Sequence, residues 1–153
     1  MTHSRIGSQS ESVLIRPATG GDLGAVAAIF AHYVTTSVVT FEVTPYTVED
    51  WAFATPWRPK PAYRHTVEDA IYLAPGQTGR GLGRRLLTAL QHETARAGAE
   101  QMIAVIADSG DPASAALHRA CGFTEAGRLR KVGRKFGRVI DTVLFQYDLT
   151  AAR

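Results

Sequence analysis

The sequence predicts one domain of the α/β or α+β class, on three observations. Strand-like and helix-like segments alternate along the chain instead of separating into an all-β part and an all-α part. Midway, an extended pattern (HTVEDAIYL), a glycine-rich turn and a helical pattern follow one another and lead into a short apolar run, MIAVIA. The 153 residues, 45% hydrophobic and 20% charged, suit a single buried core.

The elements follow in order. Residues 1–12, MTHSRIGSQSES, lack an apolar stretch and are expected to be a flexible tail rather than a signal peptide. The domain is then 13–150. Val13–Arg16 is predicted as a short strand closed by Pro17. Thr19 or Asp22 caps a helix in which Leu23, Val26, Ala27, Phe30 and Val34 recur at helical spacing. VVTFEVTP is expected to be extended as far as Pro45. Thr47 followed by Glu49, Asp50 and Trp51 has the form of a helix start, with acidic residues in the first turn. That helix does not continue, because AFATPWRPKPAYR, with three prolines in six residues, predicts a loop.

HTVEDAIYL is predicted as a strand with Val67, Ile71 and Leu73 on one face and Glu68, Ala70 and Tyr72 on the other. Pro75–Gly81 is the turn. Leu82, Leu86, Leu87, Leu90 and Thr94 mark a helix ending near Gly98. MIAVIA is a buried strand, and Pro112 suits the first turn of a helix over ASAALHRA, stopped by Gly122. Thr124–Val132 and Val139–Leu149 are the last two predicted strands.

Charge and composition narrow the partners. A net charge of +3 fits a binder of small polyanions better than a nucleic-acid protein. The basic stretch 128–138 offers only Phe136 for stacking on bases. No apolar run approaches a membrane span. The one cysteine, Cys121, excludes a disulfide within the chain, suits a reducing cytoplasm and is expected to be a small buried hydrophobe. The five histidines show neither HxxxH nor HExxH spacing, so no metal is expected.

Residues 74–87, APGQTGRGLGRRLL, carry the strongest chemical signal. Glycines at 76, 79, 81 and 83 let the backbone bend so that several N–H groups converge. A helix N-terminus adds its positive dipole end, and Arg80, Arg84 and Arg85 add charge. This is the chemistry of a pyrophosphate cradle. A Walker loop is excluded because no GK[ST] follows Gly81, and the GxGxxG dinucleotide spacing is absent.

The stretch from Gln77 to Leu87 resembles the acetyl-CoA pyrophosphate loop of the GNAT acetyltransferases, Q/R-x-x-G-x-G/A. Thr78 stands at the Gln/Arg position, and Gly81 and Gly83 stand at the motif glycines. IRPATGGDLGAVAAIFAHYV, SVVTFE, YRHTVEDAIYL, DPASAALHRACGF and VGRKFGR-x-x-D are together similar to the phosphinothricin and methionine sulfone N-acetyltransferase branch. The resemblance implies a mixed, mostly antiparallel sheet flanked by helices. It implies transfer of the acetyl group of acetyl-CoA to the amine of a small amino-acid-like substrate of the phosphinothricin, methionine sulfone or sulfoximine type, without a metal, in a homodimer. Between the counterparts of Trp51 and Ala52 the branch has most of a helix, a strand and a turn, about 25 residues at mean element lengths, that are missing here. Such a loss would leave a neighbouring strand with an unpaired edge.

The same resemblance assigns the site. Glu68 would be the general base, directly or through water; at the ordinary Glu value of about 4.3 it is a weak base, so partial burial is expected. His118 stands where many relatives carry a Tyr that protonates the leaving sulfur, and it would act likewise or be structural. Ile71, Tyr72 and Leu73 would pair with the pantetheine arm, with a backbone N–H, that of Ile71, as oxyanion donor. Gly79, Arg80, Gly81, Leu82, Gly83 and Arg84 would hold the pyrophosphate, with Asp111 near the cofactor. Phe41, Pro61, Ala62, Tyr63 and Arg64 would line the acceptor site, where Arg64 or Arg58 suits a carboxylate or phosphinate. Val139 stands where relatives commonly have Trp. Two alternatives stay open: a different acceptor (a polyamine, an aminoglycoside or a protein N-terminus), or an inactive CoA-binding or dimerisation module.

Overall fold

The computed structural model describes residues 13–45 and 54–150. The sheet has five strands, β1 (Ala54–Pro56), β2 (Thr66–Asp69), β3 (Gln101–Ala107), β4 (Thr124–Lys135) and β5 (Arg138–Asp148), in the order β1-β2-β3-β5-β4. Only β2 and β3 run parallel; every other pair is antiparallel. The three helices are α1 (Leu23–Thr36), α2 (Leu82–Arg96) and α3 (Ala113–Ala120). A parallel pair needs a crossover, and α2 supplies it between β2 and β3. This is the predicted α/β class with a mixed, mostly antiparallel sheet.

Local chemistry sets the boundaries. Before α1, the Asp22 carboxylate accepts from the backbone N–H and the hydroxyl of Thr19, and Arg16 donates to it from both terminal guanidinium nitrogens, Nη1 and Nη2. α2 opens at Gly81, which has φ +75°, and the chain leaves it at Gly98, φ +95°. β4 and β5 are joined by Phe136 and Gly137, both at positive φ, the two-residue turn that matches strand twist. Met102, Ala104 and Ile106 alternate inward along β3 and pack with Leu87, Phe123, Val143, Phe145 and Leu149. A smaller cluster joins Val38, Ala107 and Ile140.

Several expectations are corrected. Val13–Arg16 is not a strand, and 38–45 bends instead of running extended. A strand needs a neighbour for its backbone groups, and among the described residues none lies beyond β1, a three-residue edge. The predicted 52–64 loop contains β1 and a 3-10 turn at Pro61–Tyr63. The strand predicted over HTVEDAIYL keeps ladder pairing only to Asp69. β4 runs past Val132 to Lys135, with register irregularities at Glu125/Gly127 and Leu129/Gly133. The predicted tail at 1–12, the helix start at Glu49–Trp51 and the junction at Trp51–Ala52 lie outside the described residues.

Candidate active site

β2 and β3 pair from Thr66↔Gln101 to Asp69↔Ala104 and then part. Past that point Ala70–Leu73 forms one wall and Val105–Ala107 the other of a cleft of about 410 Å³. Among the described residues no strand pairs with Ala70–Leu73. α1 holds the segment from outside the sheet: the Tyr33 hydroxyl donates to the Leu73 carbonyl at 2.7 Å. The Tyr72 ring sits among Phe30, edge-on at 5.1 Å, and Tyr33 at 5.4 Å.

The glycine turn lies at the cleft's mouth. Gly79 and Gly81 both have φ +75°, and the space where a side chain would project is open at each. At φ > 0 an L side chain is strained, so glycine is required there. Gly81 is the first cap of α2, with no side chain satisfying the helix's leading N–H groups, and Arg84 lines the cleft beside it. Open left-handed backbone, unsatisfied donors and one arginine fit a diphosphate. Arg80 donates to Gln77, and Arg85 turns away to the Val13 carbonyl. Gly83 also lines the cleft, but a Cβ there would meet Leu117 at 3.2 Å. It is glycine because α2 packs closely on α3.

At the floor sit three titratable groups. Glu68 is half-buried and lines the cleft. Burial pushes its carboxyl above the ordinary value, the charge of Asp69 adds to this, and Arg58 opposes it. That is the direction a general base needs at neutral pH. Asp69 is buried, with Oδ2 3.0 Å from His118 Nε2. His118 Nδ1 lies 2.7 Å from the Ser114 carbonyl, which only accepts, so Nδ1 carries hydrogen. Burial pulls His118 down, but Asp69's hydrogen bond and charge and the Ser114 carbonyl outweigh it, and its value is raised. Both ring nitrogens therefore have partners inside the fold. Asp69 Oδ1 is buried without a partner among the described residues.

The structure brings Glu68, Ile71, Tyr72, Leu73, Gly79, Gly81, Leu82, Gly83, Arg84, Asp111 and His118 together around one cleft. Arg80 is exposed beside it. Asp111 uses one oxygen to accept from the Ala113 N–H at the start of α3. Phe41, Pro61, Ala62, Tyr63 and Arg64 are not among the cleft's lining residues. Sequence reasoning missed the pairing of Asp69 with His118, the bond from Tyr33 to Leu73, and Thr40 with Lys135. The apolar spacing of Phe30 and Val34 marked the helix face that carries Tyr33 but not its reach. Among the described residues no three His, Cys, Asp or Glu side chains gather to hold a metal ion, and no helix is long and apolar enough to cross a membrane.

The chain belongs to the acetyltransferase (GNAT) family, whose sequence profile matches residues 44–123, and it is an enzyme of that class. It is 41% identical to the phosphinothricin N-acetyltransferase of Alcaligenes faecalis, over 90% of this chain and 83% of the relative. That match runs over 163 positions, whereas 90% of this 153-residue chain is about 138 residues, so about 25 positions of the relative have no counterpart here. It is 42% identical to the L-methionine sulfoximine/L-methionine sulfone acetyltransferase of Pseudomonas paraeruginosa, over 63% of this chain and 56% of the relative. Its fold matches the crystal structure of a phosphinothricin acetyltransferase from Sinorhizobium meliloti in complex with AcCoA, with a TM-score of 0.80 and 34% identity, covering 87% of this chain and 86% of that one.

Proposed function

We propose that this protein transfers the acetyl group of acetyl-CoA to the amine of a small amino-acid-like acceptor of the phosphinothricin or methionine sulfone and sulfoximine type. The observation that carries the reading is the position of Glu68. Its carboxyl, whose pKa is raised by burial, stands at the end of the β2–β3 pairing, three residues before Ile71 of the segment that leaves β3, and shares a cleft with the left-handed glycine turn. The turn and Arg84 would hold the pyrophosphate of the donor, and Ala70–Leu73 would align its pantetheine arm as an added strand.

The chemistry then runs by direct attack. The amine nitrogen forms a bond to the thioester carbon while Glu68 accepts its proton, directly or through one water. The carbonyl oxygen gains charge and is met by the Ile71 N–H. The tetrahedral species collapses, the carbon–sulfur bond breaks, and CoA leaves as thiolate to be protonated by solvent or by the protonated Glu68. His118, with both nitrogens engaged, holds Asp69 and α3 in place beside that sulfur. Arg58, close enough to Glu68 for its charge to be felt, suits the acceptor's carboxylate better than Arg64 does.

We place the reaction in the cytoplasm and in a homodimer, the latter supported by the exposed apolar residues Leu129, Val132, Phe136 and Val139 of the β4–β5 hairpin. A second reading, a bulkier acceptor amine, is favoured by Val139, which is half exposed and stands where relatives commonly have Trp. Thiol release from acetyl-CoA, measured against phosphinothricin, methionine sulfone, methionine sulfoximine, a polyamine, an aminoglycoside and a peptide N-terminus, tests both readings. Fastest turnover with the first three supports the proposal. Preference for another amine selects the second reading, and thiol release with none of them overturns both.

A further inference from the structure

Lys135, the last residue of β4, is 5% exposed. Lysine is among the residues least often found inside. Its Nζ donates to the Thr40 carbonyl at 2.9 Å and lies 5.2 Å from the centre of the Phe136 ring. Burial pulls its ammonium below the ordinary lysine value, and the charge of nearby Glu42 opposes this. Thr40 is buried too. Its hydroxyl accepts from the Glu42 N–H at 3.2 Å and lies beside the hydroxyl of Tyr72. The neighbours of Thr40 point the other way: Val39 lines the cleft, and the Phe41 ring occupies the space that a side chain at position 133 would need, which is why residue 133 is Gly. Residues 38–42 thus lie against the wall that faces the donor, at Tyr72, and are tied to the β4–β5 hairpin through Lys135.

We infer that Lys135 is a positioning residue for the acceptor: it clamps 38–42 to the hairpin, where Phe41 packs over Gly133, so that Val39 forms a fixed wall of the cleft that holds Glu68. The inference rests on the acceptor lying next to Glu68, as proposed above. A leucine would fill the same volume but would leave the Thr40 carbonyl buried without a donor. A loop with no regular hydrogen-bond ladder of its own needs such a tie to keep one conformation.

The test is Lys135→Met in the full chain, read in two ways. The first is steady-state kinetics with the acceptor that the thiol-release panel selects. The expected result is a rise of about fivefold or more in the acceptor KM, with kcat and the KM for acetyl-CoA within about twofold of wild type. Lys135→Arg, which keeps a donor, should recover most of the acceptor affinity. The second readout is amide hydrogen exchange over 38–42, which should be faster in Lys135→Met than in wild type. An unchanged acceptor KM accompanied by a lower Tm would mean that Lys135 only stabilises the fold, and overturns the inference. If Lys135→Met does not fold, Lys135→Gln is measured in its place with the same expected signs. If wild type acetylates no amine, the functional proposal fails, while exchange over 38–42 still decides the clamp: no difference between wild type and variant overturns it.

Discussion

Asp69 Oδ2 and His118 Nε2 lie 3.0 Å apart, with 1% and 5% of their side chains exposed, and join the end of β2 to α3 across 49 residues of sequence. With Nδ1 committed to Ser114, an ionised Asp69 requires His118 to be doubly protonated. Breaking such a pair by deleting one partner leaves the other buried and unmatched, which typically costs about 3–5 kcal/mol.

The first prediction follows from that linkage. The His118 value is raised in the folded state, so its contribution to stability is complete below the unfolded value of about 6.5 and is lost as pH rises through the folded one. Wild-type Tm should therefore fall as pH increases from about 6.5. Asp69→Asn keeps a hydrogen-bonding group but removes the charge, and should flatten that slope. Asp69→Ala should lower Tm by about 6 °C or more at pH 6. Parallel melting curves for wild type and Asp69→Asn across this range would show that the pair is not ionised.

Glu68 gives a prediction in which stability and activity move in opposite directions. Glu68→Gln keeps the shape and removes the basicity, and should lower kcat/KM by about 10²–10⁴-fold at neutral pH. The loss should shrink at higher pH, where more acceptor amine is already deprotonated. Because burial raises Glu68, its ionisation opposes folding as pH rises through the folded value. The same variant should therefore melt at or above the wild-type Tm at pH 7. A pH–rate profile and a melting curve on one preparation test both halves. Wild-type kcat/KM in the variant from pH 6 to 9 would remove Glu68 from the role of base.

The features legible in the sequence were those set by neighbours along the chain. The glycine turn was readable because Gly79 and Gly81 need a backbone sign that only glycine adopts freely, and α2 and α3 were readable from spacing and their stops at Gly98 and Gly122. The features that were not legible are long-range. Val13–Arg16 has strand composition, but pairing depends on a neighbour, and among the described residues none is placed there. His118 was singled out through the family resemblance, at a position where many relatives carry Tyr, yet its partner Asp69 looked like one acid next to another in VEDA. The partners Lys135 and Thr40 are 95 residues apart, and no periodicity signals a lysine that folds inward.

Gly81 and Gly83 belong to one motif but should fail in different ways. Gly81→Val puts a branched side chain on backbone at φ +75° in the open space of the turn, and should weaken acetyl-CoA binding by over about tenfold. Gly83→Ala puts a methyl 3.2 Å from Leu117, so the Leu117 side chain or α2 itself must give way. Its main effect should be a loss of about 1–3 kcal/mol in stability, with binding by the remaining folded protein close to wild type. Calorimetric titration and thermal melts on both variants separate the two. If Gly83→Ala costs affinity and Gly81→Val does not, the assignment of cradle and packing glycine is reversed.

Tyr33 supplies the last prediction. Its hydroxyl caps the Leu73 carbonyl at 2.7 Å, in a segment that has already left β3 and has no other described strand beside it. An unpaired stretch of backbone is free to move, and ordering it on binding costs affinity. The Tyr33 bond pre-orders the stretch from the α1 side, while the ring, in contact with Tyr72, keeps its packing if only the hydroxyl is removed. Tyr33→Phe should thus weaken CoA by about three- to tenfold, the worth of one net hydrogen bond. 3′,5′-ADP, which lacks the pantetheine arm, should bind both proteins equally, because the glycine turn is untouched. Titrating both ligands into wild type and variant gives the comparison. Equal losses for the two ligands would place the effect in the turn and not in 70–73, and no loss for either would show that the segment is held without Tyr33.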